Sequence, residues 1–289
     1  MGAKFLVLGA TGQVGSALNA ILDDVVVLGR EQADFSNPAS LAAVVENIRP
    51  QILINAVAYT QVDKAESERD LAFAVNAEAP AVLAQIAAKL EIPFVHYSTD
   101  YVFNGSGEKA WDEDDATAPL NIYGESKRAG ELAVQAAGGK YLIFRTSWVY
   151  DAVGKNFFNT MLRLGREREQ LSVVADQFGA PTYAPHLAAA TLPAIVALQN
   201  NTELSGIYHL CGGGETSWYG FAEAIFAEAK ARGVELKIKE LLPINSDAYP
   251  TPAKRPTNSR MNCEKARKLL GISLPDWHLG LQDAFSIIA

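Results

Sequence analysis

"KFLVLGATGQVGSAL", residues 4–18, decides the fold. Its first half is a continuous apolar run, which reads as a strand buried on both faces. Its second half opens an amphipathic helix. Between them Gly9, Gly12 and Gly15 stand at GxxGxxG spacing. A helix N-terminus exposes unpaired N–H groups and the positive end of the helix dipole, and a pyrophosphate can settle there only where no side chain blocks it. A lone glycine triplet is weak evidence, but a triplet that follows a strand and opens a helix has the confirming context. The stretch therefore reads as a dinucleotide turn, with Gly9, Thr11, Gly12, Gln13, Val14 and Gly15 along it.

Outward from that turn, apolar runs recur at 24–28, 51–55, 93–98 and 141–146, separated by helical stretches such as 37–48 and 70–90. Asn37 and Pro38 give the first of these helices a capping residue and a proline at its start. The alternation predicts parallel strands joined by helical crossovers: an α/β fold with a doubly wound, Rossmann-type parallel sheet. Past about residue 150 the pattern loosens, with helical pieces near 157–168, 185–199 and 217–232 and a Pro-rich stretch at 244–260. The expected division is a dinucleotide-binding domain over 1–150 and a smaller α/β, mainly substrate-binding domain over 151–289. Some segments of the second are expected to return to the first.

Composition narrows the function. The chain of 289 residues carries a net charge of −8, which argues against a nucleic-acid surface, so an anionic substrate needs a local cluster of Arg and Lys. Two cysteines, Cys211 and Cys263, without a CxxC pair read as reduced thiols in a cytoplasmic protein. His96, His186, His209 and His278 are scattered and read as structural. No uninterrupted run of apolar residues reaches membrane-spanning length, and the first strand begins so early that neither a leader nor a membrane span is expected. The acidic run 112–115 reads as solvated charge rather than a cation site.

The end of the second strand should meet the adenosine ribose. There "VVVLGR" supplies Arg30, and a guanidinium matches a 2′-phosphate, so NADPH is favoured, with NADH still possible. The alternative is that Arg30 is a solvated loop residue. Asp34 and Phe35 stand where they could frame the adenine, although Asp34 alone also suits a turn. "NAVAYT" (55–60) ends the third strand and places Ala56, Val57, Ala58 and Tyr59 at the crevice.

"NIYGESKRAGE" (121–131) holds Tyr123 and Lys127 one helical turn apart, and none of the other nine of the ten tyrosines has a lysine at that spacing. A phenol titrates near pH 10, and a nearby ammonium favours the phenolate. Acidification by about 3 pH units, roughly 4 kcal/mol, is therefore expected for Tyr123, to match a proton donor to neutral pH. Upstream, "HYSTDYVF" (96–103) brings Thr99 and Asp100 to a strand end, where a hydroxyl can polarise a carbonyl. Taken alone, Ser98–Asp100 suits a capped turn equally well.

Together, GxxGxxG, "STDYVF" and "PLNIYGESKRAGE" resemble the extended short-chain dehydrogenase/reductases. Within them "LINAVAYTQVDKAESE" (53–68), "IFRTSWVY" (143–150), "DQFGAPT" (176–182) and "AYPTPAKRPTNSRMN" (248–262) are similar to the dTDP-4-dehydrorhamnose reductase family, over almost the whole chain. The resemblance implies NADPH-dependent reduction of the 4-keto group of dTDP-4-dehydro-L-rhamnose. Tyr123 would be the proton donor, Lys127 would lower its pKa and hold the nicotinamide ribose, and Thr99 would bond the keto oxygen. Asp100 and Trp148 would contact the sugar. For the diphosphate, Lys254, Arg255 and Arg260 are the local cations, with Arg255 foremost. Some relatives dimerise through a metal held by acidic residues; here Ala17 stands where one carboxylate would be, so no metal is expected and the chain reads as a monomer or weak homodimer. Two alternatives remain at this level: another nucleotide-sugar epimerase or dehydratase on the same scaffold, and a catalytically silent NADP-binding regulatory subunit.

Overall fold

A computed structural model describes residues 4–288. β1 (Phe5–Leu8), β2 (Val25–Leu28), β3 (Ile52–Asn55), β4 (Phe94–Thr99) and β5 (Tyr141–Thr146) fall on the apolar runs. All pair in parallel, in the order β2-β1-β3-β4-β5, with Gly206–His209 as a sixth strand beside β5. That sixth strand was not legible: it is four residues long, starts on glycine and ends on histidine. The chain reverses direction across the sheet between β1 and β3. In such sheets the ligand crevice opens at the carboxyl ends of those strands.

Helices cover both faces. α1 (Gln13–Ile21) and the helix Ala184–Asn200 pack on one side. α2 (Leu41–Ile48), the short α3 (Val62–Ala65) and α4 (Arg69–Phe73), α5 (Ala79–Lys89) and α6 (Ile122–Ala137) lie on the other. A π-helical turn, Ala74–Glu78, joins α4 to α5. The resulting run Arg69–Lys89 has the length and mean hydropathy (1.4) of a membrane span, although charged residues interrupt it in sequence; 56% of that window is buried inside the fold.

A third apolar core lies wholly beyond residue 149. It gathers the helices Phe157–Glu167, Trp218–Ala231 and Trp277–Ile288 around a parallel ladder of Gln170–Val174 with Glu240–Ile244. The segment 253–262 then runs back to the first half: Trp111 bridges Met261, and Asn258 N–H donates to the Gly105 carbonyl.

Candidate active site

The glycine turn has the geometry its sequence requires. Gly9 sits at φ +110°, a region L side chains rarely adopt, and a Cβ on Gly15 would lie 2.0 Å from the Gly9 carbonyl oxygen. Those two positions let α1 start directly over the end of β1. Gly12 is its N-cap and supplies no side-chain bond, so the first-turn amides of α1 face an unobstructed approach. The cradle fits a pyrophosphate.

Around it the remaining candidates divide. Arg30 is 82% exposed in its side chain, with only Asp34 nearby at 3.9 Å. Asp34 accepts from the Ser36 backbone and hydroxyl, which hold its carboxyl below the usual range. Phe35 and Tyr59 point inward: both belong to the core under α2 and α5, and Tyr59 donates to Glu68 at 2.6 Å. Gln13 also turns away from the cradle, bonding the Val149 carbonyl and Asn156. For these three the side chains are committed to the fold. Ala56 and Val57 hug the turn, with Ala56 N–H on the Leu8 carbonyl and Val57 N–H on the Asn55 side chain.

α6 is placed by its own polar and small residues. Asn121 caps it, accepting from Gly124 N–H and donating to the Lys254 carbonyl. A Cβ on Gly130 would meet the Asn76 carbonyl oxygen at 2.1 Å, so glycine there lets α6 lie against the π-turn. Asn76 in turn donates to Ser126 and clasps the Tyr59 backbone. π-turns are often found at functional sites, where they re-aim a side chain. This seating lays the first turn of α6 against the end of β4 that carries Thr99: a Cβ on Gly124 would meet the Tyr101 carbonyl oxygen at 2.2 Å, and the Tyr101 and Tyr123 rings meet edge-on at 5.4 Å.

The predicted acidification of Tyr123 is not what this arrangement produces. Burial pushes the phenol up to about 12; the Thr99 hydroxyl pulls the other way and the Asp100 charge adds to the rise. Lys127 lies on the same face, but its ammonium reaches past the phenol. It donates to the Tyr97 carbonyl at 2.6 Å and approaches His96 Nε2 at 3.4 Å. The spacing of four fixed the two Cα positions and left the end of a long side chain free to go elsewhere.

His96 is a residue the sequence reading assigned to structure, and it sits beside the lysine. Val57 N–H occupies Asn55 Oδ1, so Asn55 Nδ2 donates to His96 Nδ1 at 3.1 Å. That network assigns the ring proton to Nε2, facing the lysine. Burial holds His96 well below its ordinary pKa, with Lys127 adding to the effect. Burial also lowers Lys127 to about 8. The available signal was period-2 alternation on β4, which puts His96 and Ser98 on one face opposite Lys127 and Glu131.

Asp100 is 2% exposed. Its Oδ1 accepts from Thr99 at 3.0 Å, while Oδ2 has no partner; burial raises its carboxyl to about 6. Trp148 holds a non-glycine φ of +48° and stacks on Trp218 at 3.7 Å, over Gly179. Trp218, at the start of its helix, escaped the sequence reading because only the fold brings it to Trp148. Arg255 is not a free cation: both Nη atoms bond Asp63, at 3.0 and 2.8 Å. Arg260 pairs with Glu215 and lies over Phe178 at 4.6 Å. The acidic run is also less solvated than its sequence implied. Asp112 bonds Lys109 and Asn262, and Glu113 accepts the His209 N–H. A cavity of about 580 Å3 between that run, Arg128 and Lys265 lies away from Tyr123. Among the described residues no group of three or more His, Cys, Asp or Glu is placed to hold a metal.

A doubly wound sheet with a glycine cradle at its switch point and a Thr–Tyr–Lys set at its carboxyl edge defines the short-chain dehydrogenase/reductase class. Comparison with known proteins narrows it. The family model described as "RmlD substrate binding domain" matches residues 3–289. The dTDP-4-dehydrorhamnose reductase of Shigella flexneri is 48% identical over 286 residues, 96% of each chain. A crystal structure of the Bacillus anthracis dTDP-4-dehydrorhamnose reductase in complex with NADP superposes with TM-score 0.91 at 39% identity, covering 99% of this chain and 100% of that one. The Clostridium acetobutylicum enzyme of the same name gives 0.90 at 33% identity, over 98% and 99%. The chain belongs to the dTDP-4-dehydrorhamnose reductase family.

Proposed function

We propose that the protein reduces the 4-keto group of dTDP-4-dehydro-L-rhamnose to give dTDP-L-rhamnose, with NADPH as donor and NADH as a second, weaker one. The observation that carries this is the packing of the first turn of α6, with Tyr123, against the end of β4, with Thr99, at the carboxyl edge of a sheet that also carries the Gly9–Gly15 cradle. The cradle and Arg30 would hold the dinucleotide, with Lys127 toward its ribose. When bound, the reduced nicotinamide supplies the hydride.

The chain's own residues supply the rest. The Thr99 hydroxyl turns from Asp100 Oδ1 to donate to the keto oxygen and polarises it. Tyr123 then delivers its proton to that oxygen. A phenol held near 12 is fully protonated at neutral pH, and an alkoxide is a stronger base than a phenolate, so the transfer runs downhill. Lys127 stabilises the phenolate that remains. For this it must swing from the Tyr97 carbonyl toward Tyr123, and its own proton is loosely held. Asp100, with one oxygen unpartnered, is the acceptor for a sugar hydroxyl, and Trp148 is the apolar wall. Arg255 at the crevice mouth is the diphosphate candidate, kept in place by Asp63.

In this reading residues 1–150 carry the dinucleotide and 151–289 mainly the sugar nucleotide, the strand Gly206–His209 completing the first sheet. The protein works in the cytoplasm as a monomer or weak homodimer, and its charge of −8 suits neither nucleic acid nor anionic lipid as a partner. The test is purified protein with NADPH and dTDP-4-dehydro-L-rhamnose, followed by product identification. Tyr123→Phe should lower kcat/KM by about 10²–10⁴-fold with NADPH binding retained. Turnover near the wild-type rate in that variant removes Tyr123 as the donor.

A further inference from the structure

Cys211 and Cys263, 52 residues apart in sequence, bring their sulfurs to 3.6 Å. Neither is disulfide-bonded. Cys211 follows the sixth strand and is buried; Cys263 follows the Trp111–Met261 bridge and is partly exposed. The Ser147 hydroxyl donates to the Ala180 carbonyl at 3.0 Å, and Ala180 clusters with Cys211, Met261 and Cys263. A cavity of about 310 Å3, lined by Cys211, Arg260, Met261, Glu215 and Ala180 among others, reaches Cys211. A disulfide needs sulfurs about 2 Å apart. The pair would therefore close by roughly 1.5 Å, a shift that two side-chain rotations and a small backbone movement supply.

We infer that Cys211 and Cys263 form a redox modification site: a thiol pair that peroxide closes to an intramolecular disulfide, and whose closure is felt at the substrate crevice. The route to the crevice is short. Ser147 bonds Ala180 of the Cys211 cluster and precedes the strained Trp148, while Ser259, four residues before Cys263, packs with the Trp148 ring around Gly179. The chemistry balances with hydrogen peroxide as oxidant. The Cys263 thiolate attacks one peroxide oxygen, the O–O bond breaks, hydroxide leaves as water, and a sulfenic acid forms. The Cys211 sulfur then attacks the Cys263 sulfur, the S–S bond forms, the S–O bond breaks, and the second oxygen leaves as water. Two thiols lose two electrons and two protons; one peroxide becomes two waters. Of the two sulfurs Cys263 is the more acidic, because the Cys211 thiol and the Cys211 backbone N–H both favour its thiolate.

The experiment treats the full-length protein with hydrogen peroxide, blocks remaining thiols and digests without reduction. Trypsin should release Met261–Lys265 joined to Glu169–Lys230, lighter than the two free peptides by two hydrogens and separated by dithiothreitol. Cys263→Ser should give no joined peptide and the same untreated activity as wild type. In the oxidised wild type kcat/KM for the keto sugar should fall by at least about tenfold, as when a substrate-positioning group is displaced by an ångström, and recover on reduction. Two freely alkylated cysteines after peroxide, or a cross-link only between molecules, overturns the site. A joined peptide with unchanged kcat/KM overturns its link to the crevice. The activity arm rests on the reductase reading; an inactive untreated protein would defeat that reading and leave the peptide result to stand alone. If Cys263→Ser fails to fold, peptide mapping of the wild type decides.

Discussion

Two buried cations meet at α6, Lys127 on the helix itself and Arg145 of β5 through Glu131 one turn on, and they are treated in opposite ways. Arg145 is clasped by Glu131, Nε and Nη2 each at 2.8 Å from a carboxylate oxygen, with Nη1 on the Glu113 carbonyl. Glu131 also accepts from Ser98 at 2.6 Å and Arg128 at 3.2 Å. Lys127, 1% exposed, has a neutral carbonyl and the face of a neutral histidine's N–H. Glu131 is close enough to favour its charge but is bonded elsewhere, and desolvation wins. A guanidinium with a matching fork of oxygens is locked; an ammonium buried without a counter-charge is ready to move or to shed its proton. The first arrangement ties β4, β5 and α6 together, and the second leaves a buried ammonium without a matching anion.

The contrast breaks first at Glu131. Glu131→Gln leaves Arg145 buried beside an amide, and removing one partner of a buried pair costs about 3–5 kcal/mol. Urea denaturation should show that loss of stability. A loss under about 1 kcal/mol would mean the clasp is not what secures α6.

Lys127→Met should act the other way. The lysine's folded pKa, about 8, lies below its ordinary 10.5, so between those values the unfolded chain holds the proton and the folded one does not. Stability contributed by this group therefore rises with pH across that window. Below it the buried charge is a full penalty of roughly 3 kcal/mol; above it the penalty is gone. Met removes the penalty, so at about pH 7 the variant should be the more stable protein while its kcat/KM falls about 10²-fold. Comparing wild type and variant at about pH 7 and about pH 10 cancels the tyrosines, whose raised values act in the opposite sense. A difference independent of pH would show that Lys127 is as well compensated as Arg145.

What the sequence disclosed follows the same division. Gly9, Gly12, Gly15 and the Tyr123–Lys127 spacing are local, and local geometry fixes where their backbones go. The five sheet strands were legible for the same reason: each is a continuous apolar run. The clasp of Glu131 by Ser98 and Arg145, the meeting of His96 with Lys127, the Trp148–Trp218 stack and the Cys211–Cys263 contact join residues 14 to 70 positions apart. No period within one element encodes such contacts. The expected acid Tyr123 failed at that boundary, since helical spacing places two Cβ atoms but not an ammonium four bonds further out. Arg255 looked free for the same reason, because its partner Asp63 is 192 residues away.

Arg30 is the third state of a cation on this sheet: neither clasped nor buried. With a side chain 82% exposed and Asp34 at 3.9 Å, it gives up almost nothing to take another anion. An exposed pair of that length is worth about 0–1 kcal/mol, so folding does not need it. Arg30→Ala should therefore leave urea stability unchanged. It should lower the NADPH-to-NADH ratio of kcat/KM by about tenfold, roughly 1.4 kcal/mol of lost contact with a 2′-phosphate, through KM for NADPH more than kcat. Added salt should shrink the wild-type preference toward that of the variant, as screening of an exposed charge requires. An unchanged ratio would return Arg30 to solvent and place the choice of cofactor elsewhere on the loop after β2.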